Sequence, residues 1–292
     1  MTYHPGSRAV QERVGVRDLA DRVGQSVGQG IRPVAAAFLE QQPMLVLGAA
    51  DPVDGAVWAS PVTGRPGFVR ATGPRRISVA GSVRAGDPIE AALSTEGTAV
   101  GTLALDPRTR RRMRLNGRAR PTPGGLAVEA DQVFANCPKY LQRRQTYETL
   151  ARTPRETGRG TELTPEQREF VTAADTFFLA SVHADGADLS HRGGNPGFVR
   201  AGSPRELSWR DYPGNSMFLS LGNLEADPRA GLLFLDWSSG TLLQLTGTAR
   251  TRYGPGGERS VHFTLAEAVE TAGGSPLRWS PPDYSPANPS LP

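Results

Sequence analysis

The chain has 292 residues, of which 38% are hydrophobic and 21% charged, a composition typical of a globular protein with its own core. Its single cysteine, Cys137, excludes an internal disulfide, which favours the reducing cytoplasm. We expect neither a secretion signal nor a membrane span, because the N-terminal residues lack a signal's apolar core and every apolar run is far shorter than about 20 residues. The formal net charge of +4 does not by itself indicate a polyanionic partner.

The first third of the chain predicts helices followed by antiparallel strands. Helical spacing over Arg17 to Gly24 and over Pro33 to Gln41 predicts an N-terminal helical segment, residues 1–43. The apolar run Met44 to Ala50 ends near Asp54-Gly55, a pair typical of hairpin turns, and opens a β-rich region over residues 44–130. Within that region lies an arginine run, Arg108 to Arg114. It lacks interleaved aromatic residues, so a solvated turn or an anion contact is favoured over nucleic-acid binding.

The middle of the chain predicts a connection, residues 131–163. We expect a helix over Asp131 to Leu150 that joins the two halves. The stretch Thr153 to Thr161 is rich in glycine, arginine and threonine, which predicts a linker or loop.

The remaining residues, 164–292, predict a second β-rich unit. A Thr-Pro-Glu start predicts a helix from Thr164 to Ala173, and Phe177 to His183 predicts a strand that ends at Asp185-Gly186. A further hairpin is expected across Trp237 to Gly240. The proline-rich end, SPPDYSPANPSLP, predicts an extended tail.

The chain repeats itself with a shift of 130 residues. Residues 60–78 and 190–208 are identical at 11 of 19 positions, and Gly101, Leu103 and Leu105 fall on Gly231, Leu233 and Leu235 without a gap. Two distant blocks that share one offset indicate a duplicated domain. The fold prediction is therefore mainly β with helices, two tandem small barrels, with residues 44–130 as the first repeat and 164–292 as the second.

The second repeat resembles a known family. The segments SHRGGNPGFVR and NLEADPRAGLLF, with NCPKYLQRR in the middle of the chain, resemble the pyridoxamine 5′-phosphate oxidase-like FMN-binding split barrels, and most closely their predicted flavin-nucleotide-binding branch. The resemblance implies a split-barrel fold and FMN as the cofactor. It also implies that any redox chemistry belongs to the flavin, while the protein supplies binding and orientation.

The resemblance also implies where FMN would bind. The phosphate needs arginines, because a guanidinium binds two oxygens at once, and the ribityl chain needs small polar groups. The expected cofactor residues in the second repeat are Ser190, His191, Arg192, Arg200, Asn215, Ser216, Asn223 and Gln244. His191 has two interpretations, a turn or hydrogen-bonding role and direct contact.

Residues from the middle of the chain are expected to complete this site. In the resembling proteins FMN lies between two barrels, so Lys139, Tyr140 and Arg143 of NCPKYLQRR would reach the second repeat's flavin. The interface could form within one chain or in a homodimer. The alternative is a helix with Tyr140 and Leu141 packed inward. Lys139 is the only lysine in a chain that otherwise uses arginine.

Two functions from different classes remain open. One is an FMN-dependent oxidoreductase acting on a small substrate or a nicotinamide nucleotide; the other is a non-catalytic carrier of flavin, deazaflavin or haem. GFVR and LRWSPPDYSP depart from the pattern of true pyridoxamine 5′-phosphate oxidases, which argues against that reaction. No metal site is expected, since the four histidines lack ligand spacing.

The 130-residue shift predicts a single functional site. His191 and Arg192 of the second repeat fall on Pro61 and Val62 of the first, which removes polar partners from the first repeat. We therefore expect the first repeat to have a degenerate site.

Overall fold

The structure, a computed structural model, describes residues 3–290. It is mainly β, with short helices before and between the strands, as the sequence predicted. The six helices of the described residues are α1 Pro5–Arg13, α2 Arg17–Gly24, α3 Pro33–Glu40, α4 Glu90–Ser94, α5 Pro165–Ala173 and α6 Leu219–Ala226. The helices predicted from Arg17, Pro33 and Thr164 are confirmed. The last begins with a capping box, in which the Thr164 side chain and Gln167 satisfy each other's backbone N–H.

Seven strands form the first sheet, and each neighbouring pair is antiparallel. They are β1 Met44–Ala50, β2 Val57–Thr63, β3 Val69–Ala71, β4 Arg76–Ala80, β5 Thr98–Asp106, β6 Arg111–Thr122 and β7 Gly125–Ala135. Their order across the sheet is β2-β1-β5-β6-β7-β4-β3. The predicted strand over Met44 to Ala50 and its hairpin are confirmed.

The second sheet repeats this topology. Its strands are β9 Arg155–Gly160, β10 Thr176–His183, β11 Gly186–Gly193, β12 Val199–Ser203, β13 Glu206–Arg210, β14 Arg229–Leu235, β15 Leu242–Tyr253 and β16 Arg259–Ala272. The order is β11-β10-β14-β15-β16-β13-β12, with β9 added beside β16. The ladders also share an irregularity, since the register shifts at Asn116/Gly117 in the first sheet and at Thr246/Gly247 in the second. These positions are 130 residues apart, so the shift found in the sequence also relates backbone geometry.

The two sheets share a core. Each has its own apolar cluster, and a third lies between them, where Val46 and Leu103 of the first sheet join Phe178 and Leu233 of the second. All four side chains are fully buried. Because burial of such side chains contributes roughly 1.5–3 kcal/mol each, this shared layer holds the sheets together and positions residues of one against residues of the other.

The connection between the sheets differs from the sequence prediction. The helix expected over Asp131 to Leu150 is wrong: β7 extends to Ala135, an irregular segment follows, and β8 spans Tyr147–Thr149. The loop expected over Thr153 to Thr161 is also wrong, because residues Arg155–Gly160 form β9 and pair with β16. Pairing along β16 satisfies the backbone of this polar stretch, a tertiary effect without a local pattern.

The ends of the chain pack against the sheets. Helix α1 crosses α6 so closely that a Cβ on Gly222 would lie 2.4 Å from Ser7 Oγ. Near the other end, β17 Leu277–Trp279 pairs with β8, and the tail then runs extended past the bridge of Arg143 with Asp283. The last two residues of the predicted tail lie outside the described residues. Within residues 3–290, no helix is long and apolar enough to cross a membrane.

Candidate functional site

A cleft runs between the two sheets where β6 faces β11. It encloses about 890 Å³, including space open to solvent. We call it the arginine cleft, because its walls carry five basic side chains and one carboxylate: Arg112, Arg114, Lys139, Arg192, Arg210 and Asp211. Aromatic and aliphatic groups complete it, among them Phe198, Trp209, Tyr212, Phe218 and Leu219.

Arg112 links the two walls of the cleft. Its guanidinium donates to His191 Nδ1 at 2.7 Å and to the carbonyl of Cys137 at 2.8 Å. Burial and the neighbouring Arg114 lower the pKa of Arg112 to about 9, so it remains charged at neutral pH. Since arginine can only donate, Nδ1 accepts and the hydrogen of neutral His191 lies on Nε2.

His191 itself is buried and neutral. Desolvation lowers its pKa well below the ordinary value, and the positive charges of Arg112 and Arg192 lower it further. Its Nε2 atom is buried and has no hydrogen-bond partner in the described chain. This side chain therefore offers one unused donor at the cleft wall.

Arg114 lies beside Arg112 on β6 and is anchored by a buried carboxylate of the opposite sheet. Both oxygens of Asp188 accept from Arg114 Nη1, at 3.1 and 2.9 Å, and Asn116 and Ser220 also donate to this carboxylate. Burial alone raises the pKa of Asp188, but Arg114 and these donors outweigh it, and the pKa is lowered. The network fixes Arg114 at the cleft across the sheet interface.

Arg192 is held from the other side of the cleft. It donates to Asp211 at 2.6 Å, and the second oxygen of Asp211 accepts from Arg259 at 2.9 Å. Ser190 is fully buried behind it and accepts from Arg192 Nε at 3.4 Å. Ser190 thus supports the arginine and does not line the cleft.

The backbone around the cleft is strained. Four non-glycine residues of the described chain have positive φ, and three of them, Tyr140, Ser216 and Phe218, line this cleft. Such conformations cost about 1–3 kcal/mol each and cluster at functional sites. The Tyr140 segment also approaches β11 so closely that a Cβ on Gly193 would lie 2.0 Å from its carbonyl oxygen.

Two phenols close the rim of the cleft. The Tyr140 hydroxyl donates to the carbonyl of Pro213 at 2.9 Å, and its ring lies 5.1 Å from that of Tyr212. Burial raises the pKa of both tyrosines, so both remain protonated. Lys139 precedes Tyr140 and lines the cleft.

The structure brings together six of the ten residues expected from the sequence. They are Lys139, Tyr140, His191, Arg192, Asn215 and Ser216. Three others lie elsewhere. Arg200 is exposed in a separate groove with Ser208 and His262, because β12 is an edge strand whose outward face points away from the cleft.

Asn223 and Gln244 are also outside the cleft. Asn223 is buried on α6, where its amide donates to Ser181. Gln244 is fully buried and donates to the carbonyl of Ala59 at 3.0 Å and to Asp87 at 3.1 Å. It therefore faces the first sheet's own side strand, not the cleft of the second.

Gln244 belongs to a position related to the arginine cleft by the 130-residue shift. There Asp87 accepts from Ser60 at 2.7 Å and forms an ion pair with Arg84 at 3.5 Å. Gln244, Ser60 and Asp87 are buried. Chain groups thus fill the space that in the arginine cleft remains open.

Arg112 and Arg114 are functional candidates that sequence reasoning missed. The arginine run was visible, and an anion contact was one of its interpretations. The shift even aligns Arg114 with Gln244. What was missing was that each repeat's β6-type strand faces the cleft of the other repeat.

The histidines do not form a metal centre. His4 and His183 stack with ring centroids 4.5 Å apart, and within residues 3–290 no group of three or more metal-ligating side chains is found. Burial is the largest cause of the lowered pKa of both rings.

Comparisons with known proteins agree with the sequence resemblance. Residues 163–273 match the family described as Pyridoxamine 5′-phosphate oxidase, which confirms the resemblance over that stretch. No curated protein matches the sequence.

Solved structures are also similar. A protein related to general stress protein 26 of B. subtilis (pyridoxinephosphate oxidase family), from Clostridium acetobutylicum, is 14% identical and covers 34% of this chain and 81% of its own, with a TM-score of 0.25. HupZ of Group A Streptococcus is 13% identical and covers 35% and 89%, with a TM-score of 0.30. The FAD binding protein from Mycobacterium smegmatis is 10% identical and covers 38% and 96%, with a TM-score of 0.27.

Proposed function

We propose, from the match of residues 163–273 to the pyridoxamine 5′-phosphate oxidase family, that this chain is a flavoprotein that binds one FMN in the arginine cleft. The chain is then a fusion of two split barrels whose interface builds the site internally. The observation that carries the proposal is the excess of basic over acidic side chains in an otherwise aromatic cleft.

The cleft suits a phosphate. Arg112 and Arg114 are charged, partly buried and held in place by hydrogen bonds, and Lys139 adds a mobile charge at the opening. Charge-assisted bonds from arginine to phosphate are short and strong, about 1.5–3 kcal/mol each. A terminal phosphate such as that of FMN therefore fits this donor set.

The cleft also suits a flat ring with polar edges. Phe198, Trp209 and Phe218 provide an apolar wall. Two donors in that wall, His191 Nε2 and Trp209 Nε1, are buried without partners in the described chain. Since a buried unpaired donor costs about 1–3 kcal/mol, a ligand that accepts from these atoms gains affinity.

When bound, FMN supplies hydride and single-electron transfer. The chain's own residues bind and orient it. Arg112 keeps His191 neutral with its hydrogen on Nε2, so His191 acts as a hydrogen-bond donor and not as a proton donor. Tyr140 and Tyr212, both protonated, cover the rim and limit the entry of water.

One site per chain follows from the buried cluster at the related position. Asp87 places a negative charge there, and its neighbours Ser60 and Gln244 leave it without free donors for a phosphate. The first repeat thus lacks both the space and the charge that the ligand needs.

FMN titration followed by mass spectrometry of the released cofactor tests the proposal. We expect one FMN per chain, and Arg112→Gln should weaken binding at least tenfold because one charged contact is lost. Arg250→Gln, an exposed change on β15, is the matched control. Recovery of FAD alone, two equivalent flavins, or equal affinity in both variants would refute it.

Steady-state assays distinguish an enzyme from a carrier. We expect the FMN-loaded protein to oxidise NADH or NADPH and to leave pyridoxamine 5′-phosphate unoxidised. A protein that binds FMN but oxidises neither nucleotide would be a carrier instead.

A further inference from the structure

A second cavity lies beside the arginine cleft, between α3 and the β6–β7 hairpin. It encloses about 910 Å³, including space open to solvent, which is within the range of about 300–1,000 Å³ typical of small-molecule pockets. We call it the α3 groove. Its apolar wall comprises Val34, Ala35, Phe38, Met113, Val133 and Phe134.

The apolar wall comes from both sides of the groove. Val34, Ala35 and Phe38 lie on one face of α3, because residues three and four apart are neighbours on a helix. Val34 is 64% exposed, which makes it one of few large apolar side chains of the described residues that reach solvent. An exposed apolar residue at the edge of a cavity is typical of a ligand site.

All the charge in this groove is positive. Arg32, Arg111 and Arg112 line it, and no aspartate or glutamate does. Within residues 3–290, none of the three forms an ion pair. Arg111 is placed by its guanidinium, 5.3 Å from the centre of the Phe38 ring, an arrangement that leaves its donors free.

Arg112 joins the groove to the arginine cleft, since its side chain lines both. Two of its nitrogens serve His191 and Cys137, while Nε is buried and has no partner in the described chain. A ligand in the groove is thus one guanidinium away from the proposed flavin site.

We propose that the α3 groove binds a small organic anion with an apolar body, a carboxylate in its simplest form. The guanidiniums take the carboxylate and the wall of α3 takes the body. Its position makes this anion the class of substrate that would meet the flavin, and this last step rests on the proposed function.

Calorimetry with decanoate on flavin-free protein tests the groove by itself. We expect saturable binding of about one decanoate per chain, and at least tenfold weaker binding of decanol, which keeps the apolar body and loses the charge. The double variant R32Q/R111Q should also bind decanoate at least tenfold more weakly, while R250Q should bind it normally. Neither substituted arginine lines the proposed flavin site.

Three results would overturn the proposal: equal affinity for decanol, unchanged affinity in R32Q/R111Q, or binding to phosphatidylglycerol vesicles without binding of monomeric decanoate, which would indicate a membrane surface. In FMN-loaded protein we expect decanoate to shift the flavin absorption bands. Binding to flavin-free protein with no spectral shift would refute the proximity to the flavin. Failure of FMN to bind would leave the calorimetric result intact, so the two proposals fail separately.

Discussion

Replacing Asp188 by asparagine should destabilise the protein strongly. This carboxylate is 4% exposed as a side chain and accepts two bonds from Arg114, which is 11% exposed. The substitution keeps the shape but removes the charge, and it leaves the guanidinium of Arg114 without its counter-ion. Breaking a buried ion pair in this way costs about 3–5 kcal/mol, so we expect the free energy of unfolding to fall by that amount.

Urea unfolding followed by far-ultraviolet circular dichroism measures this change. Asp227→Asn is the matched control, because Asp227 pairs with Arg229 in the same sheet but nearer the solvent, where an ion pair contributes less than about 1 kcal/mol. In the double variant with Arg114→Met, the loss should be smaller than the sum of the two single losses, because neither partner is then left unpaired. A loss in Asp188→Asn that is no larger than the control's, or additive losses in the double variant, would refute the reasoning.

Four further changes follow from the structure. Acidification below about pH 6.5 should destabilise the protein, because the lowered pKa of buried His191 lets the unfolded chain bind the proton first; up to about 1.4 kcal/mol is lost per pH unit, and in urea titrations His191→Gln should reduce this slope. Gln244→Leu should leave FMN affinity within about twofold of the wild type while lowering the melting temperature, since Asp87 loses a donor in a buried cluster; a tenfold loss of affinity in a flavin titration would return Gln244 to the site. Lys139→Met should weaken FMN binding by roughly three- to tenfold through loss of a charge at the cleft opening, and unchanged affinity would make this lysine a surface residue. Gly222→Ala should loosen α1, at a cost of about 1–3 kcal/mol for the forced contact with Ser7, and limited proteolysis should then cut the N-terminal helix faster than in the wild type.

Local patterns in the sequence determined much of the fold. The strand Met44–Ala50, its hairpin turn and the helix behind Thr164 follow from alternation, turn residues and a capping box, all of which act over a few residues. The constant shift of 130 residues anticipated that both sheets have the same strand order. The resemblance carried by SHRGGNPGFVR correctly placed His191 and Arg192 beside each other at the cleft.

Only the tertiary structure decided which side chains meet. Strand β9 depends on an edge of β16 more than 100 residues away, so Arg155 to Gly160 had no strand pattern to reveal it. The shift equates Arg114 with Gln244 by topology, but the shared core sets each of their strands against the opposite sheet. Arg114 therefore reaches Asp188 and the arginine cleft, and Gln244 reaches Asp87 instead. The physical reason is that an interface between two similar sheets exchanges their faces, and this exchange is set by long-range packing of apolar side chains, on which the local sequence carries no information.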